Sequence, residues 1–198
     1  MIRGSRDLAL ISVFVGVVAA LGLVPPVFLL GGAVPITAQS MGVMLAGGIL
    51  GARRGFLSLL VFVLLVAAGL PLLSGGVGGL AMFATPRVGF LVGFPLAALV
   101  VGLLSEAWAR RGSAYDVRWG VVANVVGGIG ALYPCGILGM MALGDLSVTE
   151  AAATSGVFVP GDVAKAVLAA VVAAGVHRGY PGLLDRPERA SDREVSPV

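Results

Sequence analysis

Charge is scarce in this chain of 198 residues. Lys, Arg, Asp and Glu make up 12% of it, about half the usual share of a soluble domain. It has one lysine (Lys165), one histidine (His177) and one cysteine (Cys135). Each shortage excludes something. A single cysteine rules out a disulfide framework within one chain. One cysteine and one histidine form no metal-binding cluster, and a Ser-His-Asp arrangement has no home. The pattern G-x-x-x-x-G-K-[ST] is missing, so ATP phosphates cannot be cradled in that way. An enzyme is disfavoured, and neither a cofactor nor a metal is expected. The net charge of +3 gives no reason to expect nucleic acid as a partner.

What remains is apolar. Hydrophobic residues are 58% of the chain, against roughly 45–50% in soluble domains, and the mean hydropathy is +1.04. The apolar runs are continuous rather than alternating, which argues against a β-barrel. The expected fold is an all-α integral membrane protein of six transmembrane helices. The six stretches are Asp7–Val24, Gln39–Leu50, Gly55–Leu70, Phe90–Trp108, Trp119–Leu143 and Gly161–Val176. The second is too short to span as a straight helix. The preceding "LLGGAVPIT" is read as a partly re-entrant loop, because irregular backbone at membrane depth must be buried in protein or line a cavity. Residues 1–180 form the membrane domain. Residues 181–198 form a polar tail, "DRPERASDREVSPV" from Asp185 on, expected to be disordered.

Basic residues set the orientation. Arg3, Arg6, Arg53, Arg54, Arg110, Arg111, Arg118, Arg178, Arg186, Arg189 and Arg193 all fall on one side of a six-span arrangement. Both termini are therefore expected in the cytoplasm. Arg3 and Arg6 precede an apolar run without a small-x-small cleavage site, so a cleavable signal peptide is not expected.

Few polar residues remain that could meet a solute. Asp162 and Lys165 lie one helical turn apart on one face. They read either as a cap and its counter-ion or as a polar floor for a small ligand with both donors and an acceptor. Arg87, alone on the opposite side, reads as a lipid-headgroup contact or as a carboxylate anchor. Thr37 and Gln39 follow the re-entrant stretch, where Thr37 or Ser40 could equally cap the second helix. Asn124 and Tyr133 sit inside the fifth stretch and either bond a neighbouring helix or meet the ligand. Ser12, Gly16 and Ala20 make a smooth stripe on the first helix. It packs internally or docks a partner subunit.

Four stretches taken together resemble the BioY family, the biotin-binding membrane subunits of energy-coupling-factor transporters. They are "VPITAQSMGVMLAGGILGARRG" (34–55), "GGVGGL" (75–80), "GFLVGFPLAA" (89–98) and "FVPGDVAKAVLAA" (158–170). The likeness covers nearly the whole chain except the tail. It implies six helices of the S-component type and a biotin site open to the outside, roofed by the first and third loops. Asp162 and Lys165 match the family's biotin-holding aspartate and lysine, and Arg87 is the candidate for the valerate carboxylate. Tyr133 and Gly136 match a Tyr-x-x-Gly of the family. A family tyrosine is replaced by Phe90, and a tryptophan common after the Tyr-x-x-Gly is absent from "ILGMM", which leaves the aromatic wall open. The resemblance further implies uptake across the cytoplasmic membrane of a prokaryote, amid membrane lipid, with a transmembrane coupling subunit and ATPase subunits as partners. A homo-oligomer remains open. The alternatives are the same architecture with another vitamin, an intramembrane enzyme, or a docking scaffold.

Overall fold

The computed structural model describes residues 4–26, 36–111 and 115–184. All six apolar stretches become helical. Helix α1 covers Ser5–Gly22, α2 Gln39–Leu50, α3 Ala52–Ala67 and α4 Val88–Ala109. The fifth stretch is one rod in three parts: α5 (Val117–Val125), a π-helical turn (Val126–Ala131) and α6 (Leu132–Gly144). A short α7 (Val148–Gly156) precedes α8 (Val159–Gly179). Among the described residues strand-like pairing is limited to isolated bridges, one of them between Leu73 and Val77. Four helices are long and apolar enough to cross a membrane: Ser5–Gly22, Val88–Ala109, Val117–Gly144 and Val159–Gly179. The expected re-entrant segment falls mainly on residues 27–35, outside the described ones.

Helix α2 forms the centre, with α3 folded back beside it. At 12 and 16 residues, α2 and α3 measure about 18 and 24 Å, less than the roughly 30 Å of a bilayer's hydrocarbon. They make a hairpin at Gly51, whose φ of 84° is a left-handed conformation that suits glycine. Every residue of α2 except Met41 is buried, as befits a helix that is apolar all round. It packs against α1, α3, α4 and α8. The outward faces of the surrounding helices are apolar instead. Leu64, Leu96, Leu103, Leu138 and Leu168 are all exposed, and lipid is the solvent that suits such a surface.

Close approach needs small residues. A Cβ on Gly102 would overlap the backbone of Ala52, and Gly89 and Gly139 face each other's backbone across α4 and α6. The stripe Ser12, Gly16 and Ala20 behaves differently. All three are exposed, while Ile11, Phe14, Val15 and Val18 face the core. A Cβ on Gly16 would meet nothing within 4 Å. The internal-packing reading of the stripe is therefore corrected, because the branched and aromatic residues of α1 fill the core.

The arginine-rich end is tied together by Arg54. Its Nε pairs with Asp7 at 2.9 Å and its Nη1 donates to the Leu183 carbonyl at 2.7 Å. Leu183 and Leu184 are buried, so the packed body runs past residue 180 to Leu184. At the other end, α7 is a helix that the apolar pattern does not signal. Ser147 and Glu150 start it with a capping box. The Ser147 hydroxyl and N–H hold the Glu150 carboxyl below its ordinary pKa.

The π turn "VGGIGA" (126–131) sets what the fifth stretch shows to α8. Asn124 and Tyr133 are nine positions apart, about two and a half turns of a regular helix, which would aim them to opposite sides. The wider turn removes about a quarter of a rotation. Both side chains consequently bond α8, Asn124 at Ala166 and Tyr133 at Asp162.

Candidate functional site

A pocket opens at the end of the bundle away from Arg54. The start of α2, the loop after α3, the start of α4 and the first turn of α8 surround it. Asp162 forms part of its floor and is buried, 5% exposed. Its Oδ1 accepts from Ser40 Oγ at 3.0 Å and from Lys165 Nζ at 2.8 Å. Its Oδ2 accepts from the Tyr133 hydroxyl at 2.8 Å. Lys165 Nζ donates further to the Thr37 carbonyl at 2.6 Å and to Ser40 Oγ at 3.1 Å.

This network corrects the capping readings. Helix α8 begins at Val159 with Phe158 at its N-cap. Asp162 is already one turn inside, and its carboxylate faces α2 and α6 rather than the free N–H groups. Helix α2 begins at Gln39 after Ala38, without a side-chain cap. Neither Thr37 nor Ser40 caps it; the Ser40 hydroxyl meets Asp162 and the Thr37 carbonyl instead. Lys165 turns inward to three oxygens instead of snorkelling. An acid and a base buried together stay charged only when paired and hydrogen-bonded, and here each has several partners.

The expected residues occupy different stations. Thr37, Gln39, Arg87, Asp162 and Lys165 line the pocket. Tyr133 stands behind Asp162 as its support. Asn124 lies one turn further along α8, where its Nδ2 donates to the Ala166 carbonyl at 2.9 Å, so it joins two helices. The Gln39 amide is engaged with the backbone of α1 and of the loop after α3. The sequence reading had set Ser40 aside as a cap and had not singled out Ser74, Phe94 or Phe158. They too line the pocket.

The aromatic wall left open by Phe90 and the missing tryptophan is present. Phe90, Phe94 and Phe158 line the pocket. Phe90 meets Tyr133 and Phe158 edge-on, with ring centroids 6.2 and 6.1 Å apart. Gly136 makes room for it, since a Cβ there would overlap the Phe90 ring. The pocket thus combines apolar walls, a carboxylate acceptor, hydroxyl and ammonium donors, and a guanidinium at Arg87. That set suits a small, partly apolar solute with N–H donors at one end and an anionic group at the other.

A second cavity, at the arginine-rich end, is lined by Ser105, Tyr115, His177 and Arg178 among others. The C-terminal ends of α4 and α8 adjoin it. Their dipoles oppose the Arg178 charge, so its field favours no one sign of ligand.

Comparisons with known proteins follow this geometry. The BioY family pattern matches residues 2–182. The chain is 49% identical over 188 residues to a "Biotin transporter BioY" of Rhizobium etli, covering 94% of this chain and 99% of that one. It is 41% identical over 188 residues to a protein of the same name from Rhodobacter capsulatus, covering 90% and 97%. Among solved structures it resembles the 2.1 Å crystal structure of the S-component for biotin from an ECF-type ABC transporter. The TM-score is 0.82 at 26% identity, covering 87% of this chain and 91% of that one.

Proposed function

The chain belongs to the BioY family, and from that premise we propose that its pocket binds biotin as the substrate-specific subunit of an energy-coupling-factor transporter. It is a transporter subunit rather than an enzyme. The observation that carries the reading is the Asp162–Lys165 pair, the acid buried and the lysine half-buried, held at 2.8 Å on the pocket floor. Biotin's ureido ring has two N–H donors and one carbonyl. Asp162 accepts the donors, while Lys165 exchanges one of its present acceptors, the Thr37 carbonyl, for the carbonyl of biotin. The ring system packs on Phe90, Phe94 and Phe158. Arg87 holds the valerate carboxylate at the rim.

The finer architecture extends this. Helices α2 and α3 join the four longer ones in a six-helix bundle. Arg53, Arg54, Arg110, Arg111, Arg118 and Arg178 lie at the cytoplasmic end, with both termini there, in the cytoplasmic membrane of a prokaryote. The exposed stripe Ser12, Gly16 and Ala20 docks a transmembrane coupling subunit, which connects the chain to ATPase subunits.

The test is a calorimetric titration of purified protein with biotin, unmodified and as Asp162→Asn. The change keeps the shape and removes the charge. It also points an NH₂ group toward partners that are themselves donors. Hydrogen bonds to charged groups are worth roughly 1.5–3 kcal/mol, so binding should weaken tenfold or more. Near-unchanged affinity would sink the site. Thermal stabilisation across a panel of vitamins checks the solute, and a stronger response to another vitamin would replace biotin.

A further inference from the structure

Gln39 lines the pocket, yet its side chain is directed at the protein. It is 2% exposed. Nε2 donates to the Val18 carbonyl of α1 at 3.3 Å and to the Leu72 carbonyl at 3.0 Å. Oε1 accepts from the Ser74 N–H at 3.0 Å and from its hydroxyl at 3.4 Å. Both amide hydrogens and both lone pairs are thereby engaged, which is all that a primary amide can offer. A solute could win Gln39 only by breaking a bond to buried backbone.

The hydrogen-bond partners of Gln39 lie on two elements, α1 and the loop after α3. Leu72 and Ser74 belong to the loop after α3. That loop is compact: Leu73 N–H donates to the Val77 carbonyl at 3.1 Å, and Gly79 N–H to the Val66 carbonyl at 2.7 Å. Leu73, Ser74 and Val77 face the pocket. Val18 is on α1, on the side away from Gly16 and Ala20. Gly22 permits the approach, because a Cβ there would press on the Leu72 carbonyl and lie 3.0 Å from Gln39 Nε2. The next residue, Ser40, is bonded to Asp162 and Lys165. The first turn of α2 is thus fastened to the charged floor through Ser40 and to the loop and α1 through Gln39.

We infer that Gln39 is a positioning residue that holds the loop 70–79 against the pocket and passes the pocket's occupancy to α1. It acts through Ser74, Leu72 and Val18 without touching solute. The inference rests on the biotin site proposed above and deepens it. A brace of this kind governs release more than capture, because the loop must lift for biotin to leave. The roof and the coupling-subunit face of α1 then respond to solute together.

Two measurements test this. Gln39→Met keeps length and removes all four neutral hydrogen bonds. It should raise the biotin dissociation rate about tenfold or more while the association rate changes less than about threefold. In the unmodified protein, biotin should slow amide exchange in residues 72–79 and also in 18–24 at the end of α1. That measurement stands even if Gln39→Met fails to fold. An unchanged release rate, a loss confined to capture, or protection of the loop without α1 overturns the brace. Failure of biotin to bind the unmodified protein would instead remove the function on which it rests.

Discussion

Tyr133 and Lys165 hold opposite oxygens of one carboxylate: the tyrosine hydroxyl donates to Asp162 Oδ2 and the ammonium to Oδ1, each at 2.8 Å. The orientation of Asp162 is therefore fixed from α6 as well as from its own helix. Tyr133→Phe keeps the ring against Phe90 and removes only the donor. Biotin affinity should fall about tenfold, within the range for a bond to a charged group. A titration showing an affinity within twofold of the unmodified protein would mean that α8 alone sets the carboxylate.

Arg87 gives a prediction that depends on the solute's charge. Replacing it with Gln removes the cation and keeps a donor. Biotin should bind about tenfold more weakly, whereas an uncharged biotin amide should lose much less, since charge-assisted bonds are about twice as strong as neutral ones. Equal losses for both compounds would move the carboxylate elsewhere.

Gly136 tests the aromatic wall. A methyl group there would overlap the Phe90 ring, and overpacking typically costs about 1–3 kcal/mol. Gly136→Ala should push the ring into the pocket and weaken biotin about tenfold. Phe90→Leu on that background should recover part of the loss. The two positions must couple in a double-mutant cycle, and strictly additive effects would contradict the packing.

Gly16 lies on open surface, so Gly16→Leu should leave thermal stability and biotin binding nearly unchanged. The same bulk should block close approach of a partner helix. Co-purification with the coupling subunit should fall severalfold. If docking persists while stability drops, the stripe is not the docking face.

A reporter fused after Arg193 should be cytoplasmic and one inserted near Glu150 external, because every arginine but Arg87 is read at one end. Both reporters on one side would break the six-span reading.

Much of this was legible because membrane sequences are written in breakers and runs. The apolar stretches located the helices to within a few residues, and the i,i+3 spacing put Asp162 and Lys165 on one face. The local signals at the start of α2 misled. Thr37 and Ser40 have the chemistry of caps, but Asp162 lies 122 positions from Ser40, and no neighbouring residue announces that partner. Helix α7 was missed because its start is specified by a capping box rather than by apolar periodicity. The exposure of Gly16 was not legible either, since a small residue reads alike on an inner and an outer face.

The π turn at 126–131 has a consequence for how this chain can change. Side chains there contribute little that is chemical, but the number of residues is a phase setting for everything after them. Deleting one residue, Gly130 for instance, would return the rod to regular pitch and put Tyr133 eight positions from Asn124, which at about 100° per residue leaves it close to the bearing that the wide turn already gives it. The loss of one residue can therefore be absorbed here, whereas a Cβ on Gly127 would press on Val101 and one on Gly128 on Met44. The stretch thus carries one spare residue, and a lost codon there should be less harmful than one lost from a helix of regular pitch.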